Sequence, residues 1–267
     1  MRRRWPVLAA TIPLVLGWAL AAAHPAAART GAAGAGGLVQ PGGPITQSLT
    51  GGPNAAVTSS NWAGYAATGS AGQFTGVSGS WIQPAGQCAG DEQGDAYAAF
   101  WVGLDGYTGN TVEQTGSEVD CAGGSPEYYA WYELYPGTSV NFTNPVRPGD
   151  HFTASVSYQG SNQFQITLAD TTQDWTQSVT KTVAGAARSS AEVITEAPSS
   201  GSSTLPLTDF GTVGFTGVTV NDAGLCTTSP TEITMPVTSV SDLSNCGDFT
   251  IANTGAGLGF PWPAGGL

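Results

Sequence analysis

The chain has 267 residues, of which 7 are basic and 19 acidic, giving a formal net charge of −12 at pH 7. A surface with this excess of negative charge repels nucleic acids and anionic membranes, so neither is an expected partner. The sequence has only two histidines and no Cys-x-x-Cys motif. A zinc site is therefore not expected, and nothing in the chain calls for a cofactor.

Residues 1–28 have the pattern of a secretory signal peptide. Arginines occupy positions 2–4, and a mostly apolar stretch covers residues 5–23 before a run of alanines. Pro6 and Pro13 interrupt the apolar stretch and argue against a retained membrane helix. No later segment approaches the roughly 20 apolar residues that span a bilayer. We therefore expect a secreted, extracellular protein that has no membrane contact after signal removal.

Residues 29–58 are rich in Gly, Ala, Pro and Ser and show no hydrophobic periodicity. This composition predicts a disordered linker or a short pro-segment, with cleavage near Thr58 if it is removed. One folded domain is expected over residues 59–252, and a loose Gly/Pro-rich tail over 253–267. Nothing in the sequence requires more than a monomer.

Alternating apolar residues dominate the expected domain. Residues 152–158 alternate, residues 159–162 have turn chemistry, and residues 164–168 alternate again, which predicts a hairpin with one buried face. Further strand patterns cover residues 76–82, 97–102, 128–135 and 213–220. Beyond the leader, no ten-residue window favours a helix. The sequence therefore predicts an all-β fold, with two antiparallel sheets packed face to face as a sandwich.

Four cysteines, an even number, suggest two disulfides in an exported protein. Three pairings are possible, and we prefer Cys88–Cys121 with Cys226–Cys246 because this pairing closes two local loops. His151, in a turn that enters a strand, is the only histidine left after the leader. A Ser-His-Asp or Cys-His mechanism is therefore not expected. Carboxylates, amides and hydroxyls remain as candidate catalytic groups.

Residues 101–136 combine aromatic rings with carboxylates in a chain that otherwise has few charges. Tyr129, Trp131, Glu133 and Tyr135 are spaced by two, so a strand projects their side chains to one side. Burying Glu133 without a partner would be costly, so we expect it to face a groove or a hydrogen-bond donor. The structural alternative is that the rings fill a core and Glu133 lies at a solvated edge.

Six short blocks follow one another along the chain: residues 61–64, 101–106, 114–116, 130–136, 191–196 and 206–213. Taken in order, they resemble the signature blocks of the glutamic peptidases, also called eqolisins or peptidase family G1/A4. Each block alone is a weak signal, but six in the same order are specific, and together they span roughly residues 60–220. The resemblance implies a bent, concanavalin-like β-sandwich and an acid-acting endopeptidase of polypeptide substrates on its concave face.

The resemblance also places the catalytic pair at Gln114 and Glu196. The residues that it implies line or support the cleft are Trp62, Trp101, Asp105, Glu133 and Tyr135. In this assignment Glu196 takes a proton from a water molecule, and the Gln114 amide donates to the developing oxyanion. Glu192 competes with Glu196, because an even spacing on one strand gives both residues the same face.

The chain departs from the family pattern at three positions. Tyr129 stands where the family has Asp, and Leu134 and Val193 stand where aromatic residues are usual. These departures leave the substrate preference and the pH optimum open.

Two rival functions are considered. A glycoside hydrolase would use Glu133 and Glu196 as its carboxylate pair. A lectin-like carbohydrate-binding module would use the aromatic rings to stack on sugars, without a catalytic residue.

Overall fold

The computed structural model describes residues 43–48, 56–88 and 94–254. Nearly all of their regular structure is β, and two large, mainly antiparallel sheets contain most of the strands. The predicted all-β, two-sheet fold is therefore confirmed. The predicted signal peptide and residues 255–267 of the predicted tail lie outside the described residues.

The strands are numbered in chain order. They are β1 (Gln47–Ser48), β2 (Val57–Ser59), β3 (Trp62–Thr68), β4 (Gly76–Ile82), β5 (Ala96–Leu104), β6 (Val112–Ala122), β7 (Ser125–Tyr135), β8 (Val140–Asn141), β9 (His151–Gly160), β10 (Gln163–Asp170), β11 (Trp175–Thr182), β12 (Ser190–Glu196), β13 (Ser199–Ser200), β14 (Ser203–Thr204), β15 (Thr212–Val220), β16 (Ala223–Gly224), β17 (Thr231–Thr234), β18 (Thr238–Val240) and β19 (Phe249–Asn253). A 3-10 turn covers Leu225–Thr228.

The first sheet has the strand order β1-β2-β17-β3-β12-β5-β6-β7-β8, and the second has β11-β10-β9-β4-β15-β19-β18, with β16 added beside β15. A small third sheet pairs β13 with β14. The predicted hairpin is β9–β10, whose alternating residues Phe152, Phe164 and Ile166 are buried. Its register confirms that the period-two pattern marks one buried face.

The core between the two sheets is formed by one face of each. Phe100, Val102 and Val193 face it from the first sheet. Trp81 stacks on Phe152 at 5.6 Å, and its indole N–H donates to the Ser117 hydroxyl at 2.8 Å. This hydrogen bond satisfies a polar group that would otherwise be costly to bury.

Strand β12, in the middle of the first sheet, is buried on both faces along its whole length. A strand covered on both sides reads as a continuous buried run, with no clean alternation of apolar and polar residues. The face of the first sheet that points away from the core therefore also holds buried side chains, including Trp101, Trp131 and Ile194.

The outer face of the second sheet is lined mainly by serine and threonine. Three cross-strand hydroxyl pairs lie within hydrogen-bond distance: Ser78–Thr219 at 2.8 Å, Ser80–Thr153 at 3.1 Å and Thr167–Ser178 at 3.1 Å. On β4, β9, β10, β11, β15 and β19, the residues that alternate onto this face include no Asp, Glu, Lys or Arg.

Both disulfides form as preferred from the sequence. Cys88–Cys121 links the loop after β4 to the end of β6, and Cys226–Cys246 links the 3-10 turn to the loop before β19. Each joins segments that are close in sequence, at separations of 33 and 20 residues.

Candidate active site

The face of the first sheet that points away from the core, called the site face below, combines indole rings, carboxyls and one carboxamide. It is built by alternate residues of five neighbouring strands, β3, β12, β5, β6 and β7. Of the residues predicted from the sequence, it holds Trp62, Trp101, Gln114, Glu133, Tyr135 and Glu196. The competitor Glu192 lies on the same face.

One cross-strand row of the site face runs through Glu192, Gly103, Gln114 and Glu133. Glu192 and Gln114 therefore lie level with each other, one on each side of Gly103, on strands about 9.6 Å apart. A Cβ atom at Gly103 would come within 2.9 Å of Trp101 Cζ3 and 3.1 Å of Gln114 Cβ. Because Gly103 has no side chain, the Trp101 ring and the Gln114 side chain can lie close to the backbone of β5.

A second row, displaced by four residues, runs through Glu196, Ala99 and Glu118. Four residues of a strand correspond to about 13 Å. The ring of Trp101 lies between the rows, because its N–H donates to Glu196 Oε2 at 2.9 Å while its Cζ3 edge lies against Gly103. The register thus brings Glu192 level with Gln114 and sets Glu196 apart, beyond the indole.

The carboxamide of Gln114 is held by Glu133, because its Nε2 donates to Glu133 Oε2 at 3.0 Å. Glu133 is fully buried. Burial raises the pKa of Glu133 to about 8, and the hydrogen bond from Gln114 lowers it. The hydrogen-bond donor that the sequence analysis expects for Glu133 is therefore Gln114. At acidic pH both side chains of this pair are neutral.

Glu192 is also fully buried, and burial raises its pKa well above the ordinary value. The Ser190 hydroxyl and the backbone N–H of Tyr107 oppose this shift by favouring the charged form, whereas Asp105 and Glu113 add to it by charge repulsion. Because it is buried, Glu192 is a neutral acid at acidic pH. The Ser190 hydroxyl and the Tyr107 N–H are the two groups that favour its charged form.

Asp105 is the one sequence-predicted site residue that the strands do not bring onto the site face. It follows β5 with a left-handed φ of 67°. Its carboxylate accepts the backbone N–H of Arg188 at 2.7 Å and of Ser189 at 2.9 Å. It therefore supports the site by fixing the turn that leads into β12, which carries Glu192.

Comparison with known proteins shows which family this chain belongs to. The model of the Peptidase A4 family matches residues 60–254. The chain belongs to this family of glutamic peptidases. Aspergillopepsin-2 of Aspergillus niger is 32% identical over 200 residues, which cover 66% of this chain and 69% of that protein.

Two solved structures match this glutamic peptidase in fold. Scytalido-glutamic peptidase with a transition state analog inhibitor has a TM-score of 0.62 at 26% identity, covering 73% of this chain and 98% of that chain. SCP-B, an eqolisin in complex with the tripeptide Ala-Ile-His, has a TM-score of 0.58 at 25% identity, with the same coverage. The chain is thus a glutamic endopeptidase, and the glycoside hydrolase and carbohydrate-binding alternatives are not favoured.

Sequence reasoning missed a carboxyl cluster at the far end of the site face of this peptidase. The Tyr129 hydroxyl donates to Asp120 Oδ2 at 2.8 Å, and Glu118 lies in the same row as Tyr129. Burial raises the pKa of Asp120 to about 7 and that of Glu118 well above its ordinary value. The sequence feature that could have revealed this cluster is the even spacing of residues 114, 118 and 120 on one strand. Tyr129, the departure from the family pattern, supplies the donor of this cluster.

A segment before the first family block also reaches the site face. Ile45 packs against the apolar cluster of that face, and its N–H donates to the Gly106 carbonyl at 3.1 Å. Residues 43–48, like most of β2, lie within residues 29–58, for which the sequence predicted a linker or pro-segment. Ile45 therefore connects this segment to the domain.

The part of the chain that the structure describes contains one histidine, His151. Within it, no group of three or more His, Cys, Asp or Glu side chains is arranged to hold a metal ion. His151 is exposed at the start of β9, in the second sheet. Among these residues, no helix has the length and apolar character needed to cross a membrane.

Proposed function

We propose that this glutamic peptidase is a secreted, acid-acting endopeptidase whose catalytic pair is Gln114 and Glu192. The observation that carries the proposal is the cross-strand row in which these two side chains flank Gly103. Glu196, which the resemblance suggested, remains the competing partner. It lies about 13 Å further along the strand. Its carboxyl accepts a hydrogen bond from the Trp101 indole N–H.

In the proposed mechanism the carboxylate of Glu192 accepts a proton from a water molecule as the water oxygen bonds to the scissile carbonyl carbon. An N–H of Gln114 donates to the carbonyl oxygen as that oxygen becomes negative. Glu192, now protonated, passes its proton to the leaving nitrogen as the C–N bond breaks. The carboxylate is regenerated, so one residue serves as base and then as acid.

The protonation state of Glu192 links the mechanism to pH. Burial is the largest cause of its raised pKa, so water that enters with a substrate lowers the pKa towards the acidic range. The Ser190 hydroxyl and the Tyr107 N–H also lower the pKa of Glu192 and so favour its carboxylate. Neutral Glu133 next to Gln114 adds no negative charge against the developing oxyanion, which favours catalysis in acid.

Further observations support the proposed substrate class and the proposed secretion. Scytalido-glutamic peptidase has been solved with a transition state analog inhibitor, and SCP-B with a tripeptide. Both ligands agree with a polypeptide substrate for this chain. The signal-peptide pattern of residues 1–28 and the two disulfides support secretion. We propose that the enzyme acts as a monomer, without nucleic-acid or membrane partners.

The activity is tested by incubating the purified protein with denatured casein at pH 2–4 and, in parallel, with polysaccharides at pH 5. We expect peptide release that chelators and serine- or cysteine-directed reagents do not inhibit. Sugar release without peptide release would contradict the proposal.

Replacing Gln114 with alanine is expected to lower kcat for peptide hydrolysis by about 100- to 1000-fold, because the oxyanion loses a donor. The control is Gln165→Ala, which removes an exposed carboxamide from the second sheet and should leave kcat unchanged. Circular dichroism of both variants would establish that they fold. A folded Gln114→Ala enzyme with wild-type kcat would remove Gln114 from the mechanism.

A further inference from the structure

The start of β12 is held by one buried carboxylate, that of Asp105. Asp105 accepts the backbone N–H groups of Arg188 and Ser189, and the Ser189 hydroxyl lies 3.3 Å from its Oδ1. The Asp105 N–H in turn donates to the Ser190 carbonyl at 3.1 Å. Asp105 and residues 188–190 are called the β12 junction below, because these contacts fix where the strand begins.

Both groups that favour the charged form of Glu192 depend on the β12 junction. The Ser190 hydroxyl belongs to the junction itself, and the Tyr107 N–H follows Asp105 by only two residues. A displacement of Asp105 would therefore move both donors relative to the Glu192 carboxyl. Whatever holds Asp105 in place also sets how readily Glu192 becomes a carboxylate.

The neighbour of Asp105 on β6 is Glu113, a second carboxyl that is fully buried. Glu113 lies directly opposite Leu104, the residue before Asp105, and it precedes Gln114. Neither oxygen of Glu113 accepts a hydrogen bond of ordinary length among the described residues, and its contact with the Thr111 hydroxyl is longer. A charged carboxylate at this position would be buried without a donor, which is costly.

A proton on Glu113 removes this cost, because the protonated carboxyl donates a hydrogen bond to Asp105. Burial is the largest cause that raises the pKa of Glu113 to about 8, and the charge of Asp105 and this hydrogen bond raise it further. Glu192 also faces Glu113, whose charge would raise the Glu192 pKa. The Arg188 guanidinium lies over the Tyr158 ring of β9, 3.8 Å from its centre. Two adjoining buried carboxyls that share one proton avoid the repulsion of two charges.

We propose that Glu113 is a positioning residue of this peptidase, whose carboxyl holds Asp105 and, through the β12 junction, the two donors of Glu192. The inference rests on the proposed catalytic role of Glu192. Glu113 contacts neither the attacking water nor the substrate in this mechanism. It acts by keeping Ser190 and Tyr107 where they lower the pKa of Glu192. An uncharged donor at position 113 is sufficient for this role, whereas a side chain that cannot donate is not.

The first test compares Glu113→Leu with Glu113→Gln by the dependence of kcat on pH between pH 2 and 6. Leucine is close to glutamate in size but donates no hydrogen bond. We expect its kcat at pH 3 to fall by about 10- to 100-fold, the effect of a displacement of roughly 1 Å at a catalytic group. The acid limb of the profile should also move to higher pH, because Glu192 loses two groups that lower its pKa.

The conservative variant Glu113→Gln should rescue both properties, because its carboxamide N–H can still donate to Asp105. Its kcat should stay within about twofold of the wild type, and its acid limb should not move. The matched control is Glu232→Leu, the same change as Glu113→Leu at a partly buried carboxyl of β17, which should leave the profile unchanged. Circular dichroism of each variant would establish that it folds.

The second test measures the β12 junction by amide hydrogen exchange at pH 5 and does not depend on turnover. The N–H groups of Arg188 and Ser189 donate to Asp105, so their exchange reports local opening of the junction. In Glu113→Leu they should exchange at least about tenfold faster than in the wild type, as expected for the loss of one buried hydrogen bond. In Glu113→Gln they should exchange at the wild-type rate. Amides of β10, in the second sheet, provide the reference for global unfolding.

The two proposals fail in different ways. Wild-type exchange of Arg188 and Ser189 in Glu113→Leu would overturn the inference, as would an unmoved acid limb in an active Glu113→Leu enzyme. The inference also falls if Glu113→Gln shows the same losses as Glu113→Leu, because the donor would then be irrelevant. If the exchange rates respond as expected but no chain hydrolyses peptides at any acidic pH, Glu113 still holds the β12 junction and the peptidase function falls.

Discussion

Replacing Glu192 with glutamine is expected to reduce kcat for peptide hydrolysis by about 100- to 10,000-fold, the usual contribution of a general base. Glutamine has nearly the same shape as a neutral glutamic acid but cannot take a proton from water. Since burial keeps Glu192 neutral in the closed arrangement, the variant should fold with an unchanged Tm. The measurement is kcat and KM at pH 3 together with thermal unfolding.

The matched variant is Glu196→Gln, which makes the same chemical change four residues away on β12. Its carboxamide oxygen can still accept the Trp101 N–H that Glu196 accepts in the structure. We therefore expect kcat within about threefold of the wild type. This change is far smaller than the roughly 100-fold loss that is the least expected on removing a general base. The reverse result, an inactive Glu196→Gln and an active Glu192→Gln, would return the catalytic role to Glu196.

The second large effect concerns pH, because the protein should lose stability as the pH rises. Burial raises the pKa of Glu113 and Glu133 from 4.5 to about 8. A carboxyl with a raised pKa in the folded state binds its proton more tightly when folded than when unfolded. Its contribution to stability is complete below about pH 4.5 and is lost as the pH rises through about 8.

Each of these groups lowers the free energy of unfolding by about 1.4 kcal/mol per pH unit across that range. A domain of this size loses roughly 2–4 °C of Tm per kcal/mol. We therefore expect Tm at pH 7.5 to lie at least about 10 °C below Tm at pH 4, as measured by circular dichroism. At pH 3 the fold should persist, because few basic residues remain to repel each other once the carboxylates are protonated.

Glu113→Gln provides the control for this pH dependence, since it replaces a neutral buried acid with a neutral amide. The slope of the unfolding free energy between pH 5 and 7.5 should become shallower by about 1.4 kcal/mol per pH unit. Asp222→Asn, at an exposed position in the turn after β15, is the surface control and should leave the slope unchanged. A Tm that stays constant or rises between pH 4 and 7.5 would contradict the burial argument.

The sequence predicts which face of a strand a residue occupies, but not its place along that face. Even spacing puts Glu192 and Glu196 on the same side of β12, and Tyr129, Trp131 and Glu133 on the same side of β7. The row that each residue joins depends on how β12, β5 and β6 are paired. That register is set by long-range packing, and no local pattern records it.

Two further features could not be predicted from the sequence, each for a physical reason. Residues 43–48 are short and lack hydrophobic periodicity, and their contacts are made with Asn61 and Gly106, which lie outside the segment. The burial of Glu113, Glu118 and Glu192 runs against the usual preference of carboxylates for solvent. It becomes understandable once these groups are considered as neutral acids.

The hydroxyl-lined face of the second sheet bears on how the protein behaves in acidic solution. Most proteins keep apart in solution through net charge, and this chain loses most of its negative charge when its carboxylates are protonated. Serine and threonine side chains, by contrast, hold water equally well at pH 2 and pH 7, since they do not titrate there. A broad, hydrated surface of hydroxyl groups would keep the molecules dispersed under conditions where repulsion between carboxylates has gone.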